Sequence, residues 1–113
     1  MVDFYIPDCG DIVWLNFDPQ AGHEQAGHRP ALVLSPKVYN AKTGLCLVVP
    51  ITNQKKGYPF ELALPPLCQT TGVVLCDQMR SLDWQARTAS LKEKTGQHFA
   101  REVLARFMPL LAW

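Results

Sequence analysis

The chain has 113 residues, 48% of them hydrophobic and 19% charged, with a formal net charge of +1. That length supports one core, so one domain over 1–113 is expected, and the near-neutral balance argues against coating nucleic acid by bulk charge while permitting a local basic groove. The longest uncharged stretch, 62–76, is broken by Pro65, Pro66, Gln69, Thr70, Thr71 and Gly72, and the start Met-Val-Asp-Phe-Tyr lacks a basic region and an apolar signal core, so no membrane span is expected and the compartment is cytoplasmic.

Residues 11–17 (Asp-Ile-Val-Trp-Leu-Asn-Phe) and 31–35 (Ala-Leu-Val-Leu-Ser) are short, rich in β-branched and aromatic types and bounded by Gly and Pro; both read as strands. Residues 36–44 are turn-rich, with room for one helical turn. Residues 45–52 (Leu-Cys-Leu-Val-Val-Pro-Ile-Thr) are apolar on both faces, as in a central strand, with Pro50 marking a bulge or an edge and Thr52 expected where the strand meets solvent. A polar loop, 53–59, precedes short strands at 60–64 and 72–77. Residues 78–84, with Arg80 and Asp83, suggest a helical turn. At the C-terminal end Phe99, Val103, Phe107 and Leu111 recur every four residues beside Leu104 and Met108, which predicts an amphipathic helix starting at Gly96 and ended or kinked by Pro109. The fold class is mainly β with one C-terminal helix, a small and strongly bent sheet or barrel.

The segment 19–29 (Pro-Gln-Ala-Gly-His-Glu-Gln-Ala-Gly-His-Arg) is too long and too chemically loaded for a simple strand connection. It carries His23, Glu24, His28 and Arg29, and Pro30 forces Arg29 into an extended conformation at the mouth of a strand. The four Cys, at 9, 46, 68 and 76, show no metal-ligand or CxxC spacing, and no phosphate loop, helical HExxH or carboxylate cluster is present. No metal and no cofactor are expected. Arg29, Glu24, His28 and His23, with the strand-end hydroxyl of Thr52 and the amide of Asn53, suit phosphodiester chemistry without a metal. A guanidinium binds phosphate oxygens bidentately and stabilises charge on a pentacoordinate phosphorus, and a Thr hydroxyl can hold a non-bridging oxygen. In an RNA substrate the 2′-OH supplies the nucleophile, leaving the protein to position the phosphate and move protons. Taken singly, each residue has a plainer reading: Arg29 as a surface ion pair with Glu24, Thr52 as a strand residue, the histidines as solvated loop residues, Trp14, Trp84 and Phe60 as core. The combination favours a site.

The stretches Gly10-Asp11-Ile12-Val13-Trp14 to Phe17-Asp18-Pro19, Gly22-His23-Glu24-Gln25-Ala26-Gly27-His28-Arg29-Pro30, Val49-Pro50-Ile51-Thr52, Lys56-Gly57-Tyr58-Pro59-Phe60 and Asp77-Gln78-Met79-Arg80-Ser81 through Trp84 and Arg87 together resemble the MazF/PemK family of toxin endoribonucleases. The resemblance covers roughly 1–91. It implies an SH3-like barrel of the type shared with gyrase-poisoning toxins, a homodimer, and metal-independent cleavage of single-stranded RNA to 2′,3′-cyclic phosphate and 5′-OH ends. It also implies a MazE-like antitoxin whose disordered segment covers the RNA groove. Under it Arg29 and Thr52 fall on catalytic positions and Glu24 on a supporting one; Glu24 and His28 both remain open as the base. Asn53, Lys56, Tyr58, Gln78, Arg80 and Arg87 are the expected RNA-binding residues, from loops whose stacking and edge contacts select bases. Two rival readings stand beside it, a docking toxin of the gyrase-poisoning type working through its apolar tail, and an RNA-binding barrel that does not cut.

Overall fold

The computed structural model describes residues 5–18 and 27–111. Its elements are β1 (Asp11–Asn16), β2 (His28–Val33), α1 (Lys37–Thr43), β3 (Leu45–Thr52), β4 (Glu61–Ala63), β5 (Val73–Leu75), β6 (Arg80–Asp83), β7 (Ser90–Lys94) and α2 (Gln97–Phe107), followed by a 3-10 turn at Met108–Leu110. The strands form one antiparallel sheet in the order β4-β5-β3-β2-β1-β7, with β6 also paired to β3. The sheet bends without closing, since β4 and β7 end the path without pairing to each other.

β3 is central because it has three partners. One side pairs with β2, while the other pairs first with β6 over 45–48 and then with β5 over 51–52. Pro50, which has no N–H to donate, falls in the gap between those two ladders, so the expected bulge or edge is instead a change of partner. Pro30 lies inside β2, which starts at His28, earlier than its composition suggests; it pairs with Trp14 beyond the β3 ladder, where a missing donor costs no sheet bond.

Alternation along the strands feeds two cores. Ile12, Leu32, Val49, Ile51 and Val74 pack on one face with Phe99, Ala100 and Val103 of α2. Val13, Leu15, Phe17, Ala31, Val33, Cys46, Val48, Leu82 and Trp84 fill the other. A strand buried on both faces has no polar side, which is why β3 reads as continuously apolar. The polar exceptions are paired. Asn40, fully buried, donates through Nδ2 to the Pro7 and Ser35 carbonyls and accepts from Ser35 Oγ, while its carbonyl receives Trp84 Nε1–H at 2.9 Å.

Two expected features take another form. Residues 80–83 are a strand rather than a helical turn, because Leu82 points inward between the more exposed Ser81 and Asp83 and β3 offers an open edge there. In α2 the apolar stripe is buried only through Phe99, Ala100 and Val103; past Pro109 the chain leaves the sheet, and Met108 and Leu111 are largely exposed. Gly96 is the N-cap, as expected. The last two residues of the apolar tail, 112–113, lie outside the described residues. Among the described residues no helix is long and apolar enough to cross a membrane.

Phe99 is the main side chain through which α2 meets the sheet. Phe99→Ala is expected to lower stability by about 3–5 kcal/mol, read as a fall in the denaturant midpoint at unchanged slope.

Candidate active site

The segment 19–26, with His23 and Glu24, lies outside the described residues, but its two ends are firmly held. Phe17 N–H donates to the Gly27 carbonyl at 2.9 Å, and Gly27 N–H donates to Asp18 Oδ1 at 2.7 Å. Arg87 Nη1 donates to the carbonyls of Asn16 (3.1 Å) and Asp18 (2.8 Å). Arg80 Nη1 reaches the Phe17 carbonyl at 3.4 Å with its guanidinium over the Phe17 ring. Both arginines expected to bind RNA are thus placed at the root of this segment.

Arg29 is the second residue of β2 and Thr52 the last of β3. The β2–β3 ladder ends at Ala31 and Pro50, so Arg29 and Thr52 each lie two residues beyond it at the same end of the paired strands. Thr52 is only 4% exposed, not solvated as its strand-end position suggests, because β5 pairs with it through Val73 and the following turn folds over it. Gln54 N–H donates to Thr52 Oγ1 at 3.1 Å. That bond uses an acceptor lone pair and leaves the hydroxyl proton to donate.

Two depressions flank the Thr52–Asn53 step. The larger, about 650 Å³, is lined by Trp14, His28, Arg29, Asn53, Thr70 and Lys92 among others. The smaller, about 240 Å³, is lined by Thr52, Gln54, Lys56, Tyr58, Glu61 and Gln78 among others. The predicted residues therefore divide: His28, Arg29 and Asn53 face one depression, Thr52, Lys56, Tyr58 and Gln78 the other, and Arg80 and Arg87 line neither.

The loop 53–59 is fastened at several points. Glu61 accepts the N–H groups of Lys56 (2.9 Å) and Gly57 (2.8 Å), and Arg106 of α2 donates to the Pro59 carbonyl at 2.9 Å. Tyr58 donates to Asp77 Oδ1 at 2.9 Å, and burial, then this bond to a carboxylate, push its phenol up to about 12. Tyr58 therefore stays protonated near neutral pH and serves as a polar aromatic surface rather than a base.

The wall formed by Gln69, Thr70 and Lys92 was not foreseen. Glu93 of β7 accepts Gln69 N–H (2.8 Å), Thr70 N–H (2.9 Å) and the Thr70 hydroxyl (2.7 Å), and these bonds hold its carboxyl below the ordinary value. Thr70 and Glu93 lie far apart in sequence and β7 carries no apolar pattern, so the only local signal was the polar run Gln69-Thr70-Thr71. Among the described residues no group of His, Cys, Asp and Glu is placed to hold a metal ion.

With this geometry in hand, comparison with known proteins is specific. Residues 8–111 match the family model described as PemK-like, MazF-like toxin of type II toxin-antitoxin system. The chain is 58% identical to the endoribonuclease toxin MazF of Escherichia coli K12 over 92 residues, 81% of this chain and 82% of that protein. The crystal structure of MazF from Deinococcus radiodurans superposes with a TM-score of 0.91 at 51% identity, covering 97% of this chain and 100% of that one. A MazE-MazF crystal structure from the same organism gives 0.82 at 45% identity, with 96% and 98% covered.

Gly72 supports the centre of the site. Its φ is +112°, and a Cβ there would lie 2.4 Å from the Thr52 carbonyl oxygen and 3.0 Å from Asn53 Oδ1. Gly72→Ala is expected to cost about 1–3 kcal/mol in thermal or denaturant unfolding and to shift the backbone resonances of Thr52 and Asn53. Asp77→Asn is expected to bring the Tyr58 phenol down from about 12 toward 10, seen as an earlier phenolate absorbance in an alkaline titration. In the parent protein the folded state holds this proton more tightly than the unfolded chain. The stability that Tyr58 contributes is thus complete below pH 10 and is lost as pH rises through about 12.

Proposed function

Since the chain belongs to the PemK-like, MazF-like toxin family, and relatives across its length are named endoribonucleases, we propose that it is an endoribonuclease toxin that cuts single-stranded RNA without a metal. The observation that carries this reading is that Arg29 near the start of β2 and Thr52 at the end of β3 lie at the same end of two paired antiparallel strands, each lining one of the two polar depressions that flank the Thr52–Asn53 junction. A strand of RNA laid across that junction presents its scissile phosphate to both.

In this scheme Arg29 takes the phosphate through paired N–H bonds and stabilises the negative charge that builds on the pentacoordinate phosphorus. Thr52 donates its hydroxyl to a non-bridging oxygen. The substrate's 2′-OH attacks: the 2′-O–P bond forms, the P–O5′ bond breaks, the 2′ proton passes to a base, and the departing 5′ oxygen receives a proton. The products are a 2′,3′-cyclic phosphate and a 5′-OH. Glu24 and His28 are the two base candidates; His28 is exposed beside the larger depression, with its ring 5.5 Å from that of Trp14. Asn53, Lys56, Tyr58 and Gln78 line the two depressions at this junction and supply contacts to flanking nucleotides. The protein acts as a cytoplasmic homodimer, and a MazE-like antitoxin neutralises it by occupying the same groove, a partnership supported by the MazE-MazF complexes of the Deinococcus relative.

Incubated with a long single-stranded RNA in excess EDTA, the protein is expected to give discrete cuts with cyclic-phosphate ends. Arg29→Ala and Thr52→Ala are each expected to lose at least about 100-fold in cleavage rate while retaining their circular-dichroism spectrum. Intact RNA across varied sequences, or full activity in Arg29→Ala, would overturn the assignment.

A further inference from the structure

β7 is irregular at the point where it borders the larger depression. Its pairing with β1 runs Ile12 to Glu93 and then Val13 to Leu91, so Lys92 is an extra residue bulged out of the ladder. In a regular strand adjacent side chains point to opposite faces, and Lys92 and Glu93 could not serve the same neighbour. Here both reach Thr70: Lys92 Nζ donates to Thr70 Oγ1 at 2.8 Å, and Thr70 Oγ1 donates to Glu93 Oε1 at 2.7 Å. A bulge that redirects a side chain beside a site is a recurrent structural device.

The polarity of this chain of bonds is fixed. An ammonium only donates and a carboxylate only accepts, so the Thr70 hydroxyl must take from Lys92 and give to Glu93. Thr70 is 5% exposed, and its backbone N–H is bound to the same carboxylate, so the relay rests on an immobile residue. The Lys92 ammonium also lies 5.5 Å from the centre of the Trp14 ring, which holds it from a second direction. One of its three N–H groups is committed to Thr70, leaving two for a ligand. The same depression contains Arg29, so two cations share a polar cleft whose neighbouring carboxylate, Glu93, is consumed by three hydrogen bonds.

We propose that Lys92 is a second phosphate-binding residue, gripping a backbone phosphate other than the scissile one, and that Thr70 and Glu93 are the positioning residues that aim it. The identity of the bound strand as substrate rests on the endoribonuclease reading; the phosphate contact itself does not. A fixed cation away from the reacting bond holds the strand in place across the cleft and contributes to binding more than to the chemical step.

The test uses fluorescein-labelled single-stranded DNA of random sequence, which lacks the 2′-OH and reports phosphate binding whether or not the protein cuts RNA. Binding is measured at several salt concentrations for the parent protein, Lys92→Met, Lys92→Arg and Glu93→Gln. Lys92→Met keeps the apolar stem over Trp14 and removes the charge. It is expected to weaken binding and reduce the slope of log K against log salt by about 0.7, the share of one phosphate on a single strand. Lys92→Arg should restore that slope, and Glu93→Gln should weaken binding at a retained slope. With RNA, the loss in Lys92→Met should fall mainly on KM. A parental slope and affinity in Lys92→Met would overturn the proposal even if the parent cleaves RNA. A reduced slope with no RNA cleavage by the parent would uphold Lys92 while removing the endoribonuclease reading.

Discussion

Everything at the candidate site hangs from one strand with three partners. β3 holds β2 along one side and passes from β6 to β5 along the other, and Pro50 sits at that exchange because a residue with no N–H is cheapest where no ladder bond is available. Past the exchange the last residues of β3 pair with β5, Ile51 with Val74 and Thr52 with Val73. There the Thr52 carbonyl meets Gly72 so closely that no side chain fits between them. Thr52 is buried there, and a buried hydroxyl whose oxygen already accepts the Gln54 N–H is a better-aimed donor than one turning in solvent.

A second regularity concerns where the negative charge goes. The chain carries only one more basic than acidic residue, yet the groups facing the two depressions are mostly cationic or neutral. The carboxylates close to them serve as loop fasteners: Glu61 takes two N–H groups of the 53–59 loop, Glu93 takes three donors of the 69–70 wall, Asp18 takes Gly27 N–H, and Asp77 takes the Tyr58 hydroxyl. Hydrogen bonds to a charged acceptor are stronger than neutral ones, so these carboxylates fasten their loops where apolar packing is sparse. The same bonds turn the negative oxygens toward backbone and away from a phosphate. A nearly neutral protein can in this way present a groove suited to a polyanion.

What the sequence revealed and what it hid follow from the range of the forces involved. β1, β2, β3 and α2 were legible because each buries a periodic apolar set, and Arg29 and Thr52 were legible because they stand at the ends of such sets. β7 was invisible: Ser-Leu-Lys-Glu-Lys is a polar edge strand that, among the described residues, pairs with β1 alone, and its place is fixed by pairing rather than by composition. β6 was read as a turn because Arg-Ser-Leu-Asp has a single inward apolar residue, Leu82, too few to define a period. The 69–70 wall depends on contacts to Glu93 more than twenty residues away in the chain, and no local pattern records such a contact.

The placement of Arg80 and Arg87 shows how a residue can serve a site without lining it. Their guanidiniums donate to the carbonyls of Asn16, Phe17 and Asp18, three consecutive acceptors where β1 ends. An extended chain turns successive carbonyls in opposite directions, so two cations are needed to take all three, one reaching from β6 and one from the turn before β7. These bonds fix the end of β1 at residues 16–18, and Gly27 is joined to the same stretch through Asp18 Oδ1 and the Phe17 N–H. A guanidinium has five N–H donors, and Arg87 commits two of them here, both on Nη1. The two arginines therefore bear first on holding the backbone of residues 16–18, and any hold they have on a nucleic acid comes through the donors that remain.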